Sequence, residues 1–212
     1  MYCPSGGSSL TTKWETTLDD ELSILADKWT TDKLRWYTSF YHSILKDRRD
    51  AKKILEIGIG HPDCMWGPHN WKLWPVAPYI TGASVRMWEE YFPQAQIYAM
   101  DIKRDILFDK GRIKSLWFDQ AIESTYPLEE LGTDFDLIVE DGSHQLEHQM
   151  LAMKTLVPIV RPGGLYIMED MGHLNHEGLL KVCEQIPYPH ELVEFSNPRL
   201  PNDFAAVIVI RP

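Results

Sequence analysis

Five short apolar runs, each separated from the next by a longer segment, constrain the fold of this chain more than any other feature. Strands spaced in this way need crossover connections, so the pattern predicts an α/β fold with a mostly parallel sheet and helices on both faces. Two later runs, 191–197 and 202–212, have only a Pro-containing turn between them and predict an antiparallel hairpin. The five runs are KKILEIGIG (52–60), IYAMDI (97–102), IKSLWF (113–118), FDLIVED (135–141) and GGLYIMED (163–170).

The length of 212 residues suits a single domain with a sizeable core. Residues 1–18 are rich in Ser, Thr and Gly, and we expect them to form a flexible leader without chemistry. Residues 19–212 are then the domain. Within it, apolar residues at helical spacing over 19–50 predict an N-terminal helical cover of two helices, with a break at Thr30 and Thr31.

Charge and composition exclude several classes of partner. The formal net charge of −10 opposes binding to nucleic acid, because such binders carry a basic face. No stretch approaches the ~18 apolar residues of a membrane span, and no signal-like start is present, so we expect a cytoplasmic protein. Cys3, Cys64 and Cys183 show no ligand or disulfide spacing and are expected to be unpaired thiols.

The first strand ends in a glycine turn, Glu56-Ile57-Gly58-Ile59-Gly60. Ligands of doubly wound sheets bind at the carboxyl ends of strands near the switch in strand order. Gly58 and Gly60 would let the backbone approach a ligand, and Glu56 could pair with a ligand amine. The third glycine of a dinucleotide cradle is missing, which favours S-adenosylmethionine, a cofactor without phosphates. A plain glycine turn is the alternative interpretation.

Acidic and amide side chains follow the next two strands. Asp101 ends the second strand, where its carboxylate could accept the two hydroxyls of an adenosine ribose. Asp119 and Gln120 follow the third strand and could read the edge of an adenine ring. The alternative for Asp101 is an exposed turn residue, and Asp119 and Gln120 could equally be surface residues.

Three carboxylates close the fourth and fifth strands: Asp141, Glu169 and Asp170. If these strands are neighbours, the like charges need a cation among them, and oxygen ligands favour Mg²⁺. The alternative is that Asp170 caps a helix and Glu169 faces solvent. His144 lies three residues after Asp141, where an imidazole can remove a proton near neutral pH.

The segment 61–81 contains three tryptophans, a tyrosine and four prolines next to the glycine turn. So aromatic a loop predicts either a lid over an apolar, aromatic-lined pocket for a small molecule or a contact between subunits.

Several of these motifs occur together in one family. The chain resembles the catalytic domain of the macrocin and mycinamicin sugar O-methyltransferases, and the matching motifs run in family order from about residue 25 to 171. They are Thr31-Asp32-Lys33, Arg35-Trp36-Tyr37-Thr38, Leu55–Gly60, Gly82-Ala83-Ser84-Val85-Arg86-Met87-Trp88, Asp119-Gln120, Asp141-Gly142-Ser143-His144, Arg161–Tyr166 and Glu169-Asp170.

The resemblance implies a Rossmann-like class I methyltransferase with a seven-stranded sheet. It also implies Mg²⁺-dependent O-methylation of a small secondary metabolite by a homo-oligomer, with His144 as general base. The implied metal ligands are Asp141, Glu169 and Asp170. The implied cofactor residues are Thr31, Tyr37, Glu56, Gly58, Ser84, Asp101, Asp119 and Gln120. Two expected departures from the family concern substrate recognition. We expect the chain to lack the family's auxiliary N-terminal domain, and its aromatic insertion is longer than we expect in that family, so the macrolide sugar is not carried over as the acceptor.

Three other functions stay open at this point. A carboxylic acid could accept the methyl group and form an ester without a general base. An oxygenase similar to the cephalosporin hydroxylases would need iron, for which no two-histidine, one-carboxylate set is evident. A non-catalytic module would bind the cofactor without forming product.

Overall fold

An eight-stranded sheet organises the protein. The computed structural model describes residues 10–62, 80–198 and 205–212. Across the sheet the strands run in the order β1-β7-β8-β6-β5-β2-β3-β4, and only β8 is antiparallel to its neighbours. The predicted α/β class, mostly parallel sheet and C-terminal antiparallel pair are therefore confirmed. The strands are β1 (Leu10–Glu15), β2 (Lys53–Ile57), β3 (Gln96–Asp101), β4 (Ile113–Trp117), β5 (Phe135–Glu140), β6 (Val160–Met168), β7 (His190–Ser196) and β8 (Ala205–Ile210).

The eighth strand, β1, corrects two expectations, the seven-stranded sheet and the loose leader through residue 18. It pairs in parallel with β7, from Leu10 opposite Glu191 to Glu15 opposite Ser196. Its Trp14 ring packs edge-on against Phe40, with centroids 5.4 Å apart. The Trp14 contact and the backbone pairing with β7 thus hold β1 in the sheet. Its sequence has too few apolar residues to be predicted as a strand. Residues 1–9, the rest of the expected leader, lie outside the described residues.

Two helices form the N-terminal cover, as predicted: α1 (Glu21–Trp29) and α2 (Thr38–Leu45), with a 3₁₀ turn at Asp32–Arg35 between them. Thr30 ends α1 in the left-handed conformation, with φ of 61°. Thr31 then caps the 3₁₀ turn, its side chain accepting from the Lys33 amide at 3.4 Å. Because α1 stops before Thr30 and Thr31, the 3₁₀ turn that follows lies above the carboxyl ends of the strands.

The remaining helices cover both faces of the sheet. The β5 side chains alternate between two buried clusters, Leu137 and Val139 on the face of α1 and α2 and Ile138 on the other. No helix among the described residues is long and apolar enough to span a membrane. Cys183 is a buried free thiol, whereas the other two cysteines lie outside the described residues. The helices are α3 (Ala83–Tyr91), α4 (Leu128–Leu131), α5 (Leu146–Leu156) and α6 (His176–Cys183).

The strand order reverses between β2 and β5, because β3 and β4 extend the sheet on one side of β2 while β5 and β6 extend it on the other. At such a switch point the loops after the two central strands separate and leave a crevice at the carboxyl edge. The glycine turn after β2 and the Asp141 loop after β5 both lie there.

Candidate active site

Two cavities meet at this carboxyl edge. The inner cavity has a volume of about 390 Å³ and is lined by the turns that follow β2, β3, β4 and β5. The outer cavity, of about 630 Å³, lies between the 3₁₀ turn of the cover and the turn after β6. Four residues line both cavities and form the wall between them: Asp32, Asp141, His144 and Asp170.

Glycine is required where the β2 turn meets the β5 loop. Gly58 has a φ of +91°, and a Cβ there would overlap the carbonyl oxygen of Asp141. The Gly58 amide donates to the Met100 carbonyl at 2.8 Å, which ties the turn to β3 as well. The close approach of three backbone segments therefore builds the floor of the inner cavity.

Most of the predicted cofactor residues do line the inner cavity, and two do not. Glu56 is fully buried behind the wall, and Tyr37 lines the outer cavity instead. The seven that the fold brings together around the inner cavity are Thr31, Gly58, Gly60, Ser84, Asp101, Asp119 and Gln120.

Asp101 holds the turns around the inner cavity together. Its Oδ2 accepts the Ile59 amide and its Oδ1 accepts the Lys103 amide, each at 2.8 Å. Each carboxylate oxygen has a further lone pair, so Asp101 can still accept hydroxyl groups from a ligand. Asp119 similarly accepts the Ala121 amide at 3.0 Å.

The Gln120 side chain is engaged within the protein. Its amide nitrogen donates to Glu140 Oε1 at 2.7 Å, and its oxygen accepts the Ser143 amide at 2.8 Å. Burial raises the pKa of Glu140, which is a fully buried carboxyl. Gln120 therefore supports the wall of the inner cavity through these two bonds, and the contact of its amide with an adenine edge stays a prediction.

Lys33 is the residue that the sequence reasoning missed. It is 2% exposed, and its ammonium donates to Asp141 Oδ2 at 2.6 Å and to Glu169, with Glu56 Oε1 at 3.2 Å. Burial lowers the pKa of Lys33, but the carboxylates of Asp141, Glu169 and Glu56 outweigh it and hold the pKa well above its usual value. Glu56 thus pairs with an internal lysine rather than with a ligand amine.

Asp141, His144 and Asp170 form a triad in the shared wall, with one potential ligand atom from each lying within 4.8 Å of the others. His144 Nε2 lies 3.8 Å from Asp141 Oδ1 and 3.6 Å from Asp170 Oδ2. His144 and Asp170 both have left-handed backbones, with φ of 55° and 54°. Strain of this kind is retained where the surrounding structure needs the side chain in place.

Glu169, the third predicted metal ligand, is fully buried and lines the outer cavity, but it is not one of the triad residues. Tyr41 donates to its Oε1 at 2.5 Å, and Lys33 occupies its other oxygen. The hydroxyl of Tyr37, predicted to close over the cofactor, donates to Asp170 Oδ1. Two carboxylates and an imidazole remain as donors, a set that suits a hard or borderline divalent cation.

Most of the aromatic insertion lies outside the described part of the chain. Residues 63–79 of the predicted 61–81 segment lie outside the described residues. His61, which precedes them, lines the inner cavity. Whether the insertion is a lid or a subunit contact stays a prediction.

Relatives of this chain are known by sequence, although no family model matches it. Mycinamicin VI 2''-O-methyltransferase from Micromonospora griseorubida is 36% identical over 159 residues, covering 71% of this chain and 36% of the relative. Demethylmacrocin O-methyltransferase from Streptomyces fradiae is 34% identical over 166 residues, covering 74% of this chain and 38% of the relative. The chain therefore spans little more than a third of the length of these curated relatives.

Solved structures agree with these matches. MycE methyltransferase from the mycinamycin pathway, in complex with Mg and SAH, superposes with a TM-score of 0.58 at 34% identity, over 72% of this chain and 36% of MycE. MycE in another crystal form, also in complex with Mg and SAH, superposes with a TM-score of 0.63 at 28% identity, over 91% of this chain and 55% of MycE. By sequence and by fold, this chain belongs to the family of the macrocin and mycinamicin sugar O-methyltransferases.

Proposed function

We propose that the chain is an S-adenosylmethionine-dependent O-methyltransferase that acts on a hydroxyl group of a small secondary metabolite with the help of a divalent cation. One observation carries the proposal: the Asp141–His144–Asp170 triad lies in the wall shared by the two cavities. Two ligands held on opposite sides of this wall would meet at the triad. Positioning two reactants in this way supplies much of the catalysis in a group transfer.

The inner cavity is the proposed cofactor site. Its volume of about 390 Å³ lies in the range of small-molecule pockets. S-adenosylmethionine supplies an activated methyl group when it is bound there. Gly58 gives the ligand access to the backbone, and Asp101 keeps lone pairs for the ribose hydroxyls. The solved relative MycE is in complex with SAH, which supports this assignment.

The triad is the proposed cation site. Asp141 and Asp170 would hold Mg²⁺ through carboxylate oxygens, which are the ligands this ion prefers. A divalent cation supplies a charge that lowers the pKa of a hydroxyl group bound to it. His144, with 41% of its side chain exposed between the two cavities, would remove the hydroxyl proton through Nε2.

The outer cavity is the proposed acceptor site. Its lining includes four carboxylates, from Asp32, Asp141, Glu169 and Asp170, against the cations of Lys33 and Arg35. A bound divalent cation cancels the net negative charge of this lining, so the lining has no excess of positive charge to attract an anion. The hydroxyl acceptor is favoured by the likeness to sugar O-methyltransferases. A triad with a single histidine also differs from the two-histidine iron site of the alternative oxygenase.

Calorimetric titration with S-adenosylmethionine and S-adenosylhomocysteine, with Mg²⁺ and after chelation, tests the proposal. We expect micromolar-range binding, followed by methyl transfer in a screen that compares hydroxyl with carboxylate acceptors. Asp101→Asn should weaken cofactor binding at least about tenfold, because an amide accepts fewer hydrogen bonds than a carboxylate. Folded protein that binds neither compound would remove the methyltransferase proposal.

We also propose that the protein works in the cytoplasm as a homo-oligomer. The aromatic insertion at 61–81 is the sequence feature that supports self-association, since aromatic residues are enriched at subunit interfaces. Light scattering on purified protein measures the oligomeric state directly.

A further inference from the structure

Glu140 is a fully buried carboxyl group that lines neither of the two cavities described above. It is the last residue of β5, and its side chain lies on the same face of the sheet as Ile138. Its Oε1 accepts Gln120 Nε2 at 2.7 Å and the Gly142 amide at 3.1 Å. Burial of a carboxyl group costs free energy unless hydrogen bonds compensate, and both of these bonds lead to residues that line the inner cavity.

The Gln120 side chain extends this contact to the next residue of the loop after β5. Its nitrogen faces Glu140, and its oxygen accepts the Ser143 amide at 2.8 Å. The Tyr126 hydroxyl donates to the backbone carbonyl of Gln120 at 3.0 Å, which holds the segment from which the side chain extends. Gly142 permits the close approach, because a Cβ there would overlap the side-chain oxygen of Gln120. Gln120 therefore packs directly against the loop.

The loop of residues 142–144 ends at His144, the proposed base, and all three of its residues line the inner cavity. His144 has a left-handed backbone, with φ of 55°. A non-glycine residue keeps such a conformation only where its surroundings determine it. The bonds from Glu140 and Gln120 to the two preceding amides determine the path of the backbone up to His144.

We propose that Glu140 is a positioning residue that fixes the 142–144 loop between the cofactor site and the acceptor site. It acts directly on the amide of Gly142 and, through Gln120, on the amide of Ser143. Without its Oε1 the Gly142 amide loses its acceptor and the Gln120 side chain loses the partner that orients it. The inference rests on the proposed function for its ligand, but the effect on the loop can be measured without any ligand.

The first test measures the affinity for S-adenosylhomocysteine by calorimetry in two variants of Glu140. Glu140→Leu removes the acceptor oxygen and keeps a similar volume, so we expect the affinity to fall at least about tenfold. Glu140→Gln keeps a carbonyl oxygen where Oε1 lies, so its affinity should stay within about threefold of wild type. Glu194→Leu is the matched control, because Glu194 is a buried carboxyl group of β7 that lines neither cavity, and its affinity should not change.

A double-mutant cycle tests the route through Gln120. Gln120→Met removes both amide hydrogen bonds and keeps the length of the side chain. Glu140→Leu should weaken S-adenosylhomocysteine binding clearly less in the Gln120→Met background than in wild type, because part of its effect passes through Gln120. Equal effects in the two backgrounds would contradict this route.

Hydrogen exchange without ligand separates this inference from the proposed function. Exchange of the amides of residues 142–144 should be at least about tenfold faster in Glu140→Leu, and unchanged in Glu140→Gln and Glu194→Leu. Gln120→Met, which frees the Ser143 amide, carries this measurement if Glu140→Leu does not fold.

Unchanged exchange or unchanged affinity in folded Glu140→Leu overturns the inference and leaves the proposed function intact. Wild type that binds no S-adenosylhomocysteine, while Glu140→Leu shows faster exchange, overturns the proposed function and supports the hold on the loop. A purely structural carboxyl group would lower the free energy of unfolding when replaced, without changing either quantity, as we expect for Glu194.

Discussion

His144 has two chemical roles open to it at the level of the single residue. Its Nε2 is close enough to Asp141 and Asp170 to complete a ligand set, and exposed enough to exchange a proton with an acceptor. We assign it as the base because neither carboxylate lies within hydrogen-bonding distance of the ring, so the proton-accepting nitrogen is not committed.

Replacing His144 by Ala distinguishes the two roles. We expect turnover to fall at least about 100-fold, because a positioned base contributes 10²–10⁴-fold, while the affinities for cofactor and Mn²⁺ stay within about threefold. Steady-state kinetics and calorimetry measure these quantities. His176→Ala, which removes an exposed imidazole beside Glu194, is the control. A large loss of Mn²⁺ affinity in His144→Ala would instead make the histidine a ligand.

Gly58 allows the effects of backbone strain and steric overlap to be separated. Ala at Gly163, which has a φ of +76° and space around a Cβ, should lower the free energy of unfolding by about 1 kcal/mol through strain alone. Ala at Gly58 should cost clearly more and weaken cofactor binding, because its Cβ also displaces the Asp141 carbonyl. Urea unfolding and titration with S-adenosylhomocysteine measure both effects. Equal costs in the two variants would contradict this account.

The sequence predicted residues at strand ends better than residues that approach from elsewhere. Asp101 and Asp141 could be placed because a carboxyl end of a parallel strand fixes where its next residue lies. The sequence also indicated that the clustered carboxylates need a positive charge among them. It did not indicate that the ammonium group of Lys33, in the N-terminal cover, provides such a charge. The inward turn of Glu169 likewise depends on Tyr41, a partner far away in sequence.

At the scale of the secondary-structure elements, Trp14 anchors β1 to the N-terminal cover. Trp14 packs on Phe40, and its indole nitrogen donates to Ser39 Oγ at 2.9 Å. We expect Trp14→Ala to lower the free energy of unfolding by about 2 kcal/mol, less than a fully buried tryptophan would, and to expose the amides of residues 10–16 to hydrogen exchange. Cofactor binding should persist, because β1 lies far from the inner cavity in the sheet order.

The control for this prediction is Trp14→Phe, which keeps the ring contact and loses only the hydrogen bond to Ser39. It should show much less exchange than Trp14→Ala. Protected amides over residues 10–16 in Trp14→Ala would mean that backbone pairing with β7 holds β1 without the ring.

The elements that the sequence predicted well are those with a strong periodic pattern. The central strands are continuous apolar runs, and the break at Thr30 and Thr31 interrupts a clear helical spacing. β1 contains two adjacent threonines, two charged residues and only two apolar ones, and its partner lies about 180 residues later, so no local pattern could identify it.

On the scale of the whole molecule, the parallel sheet explains why one edge carries all the proposed chemistry. Alternating strands and helices determine that the loops after β2, β3, β4 and β5 emerge on the same side, and the switch in strand order opens a crevice there. The division into two cavities could not be predicted, because the shared wall contains Asp32, which comes from the cover.

The pairing of β1 with β7 also has a consequence for how the protein is made. Residues 10–15 are synthesised about 180 residues before their partner strand, residues 190–196. The ion pairs of Lys33 likewise cannot form until Asp141 and Glu169 have been synthesised. Strand β1 therefore reaches its native position only after a strand much later in the sequence has been made, and its edge of the sheet is completed after that point.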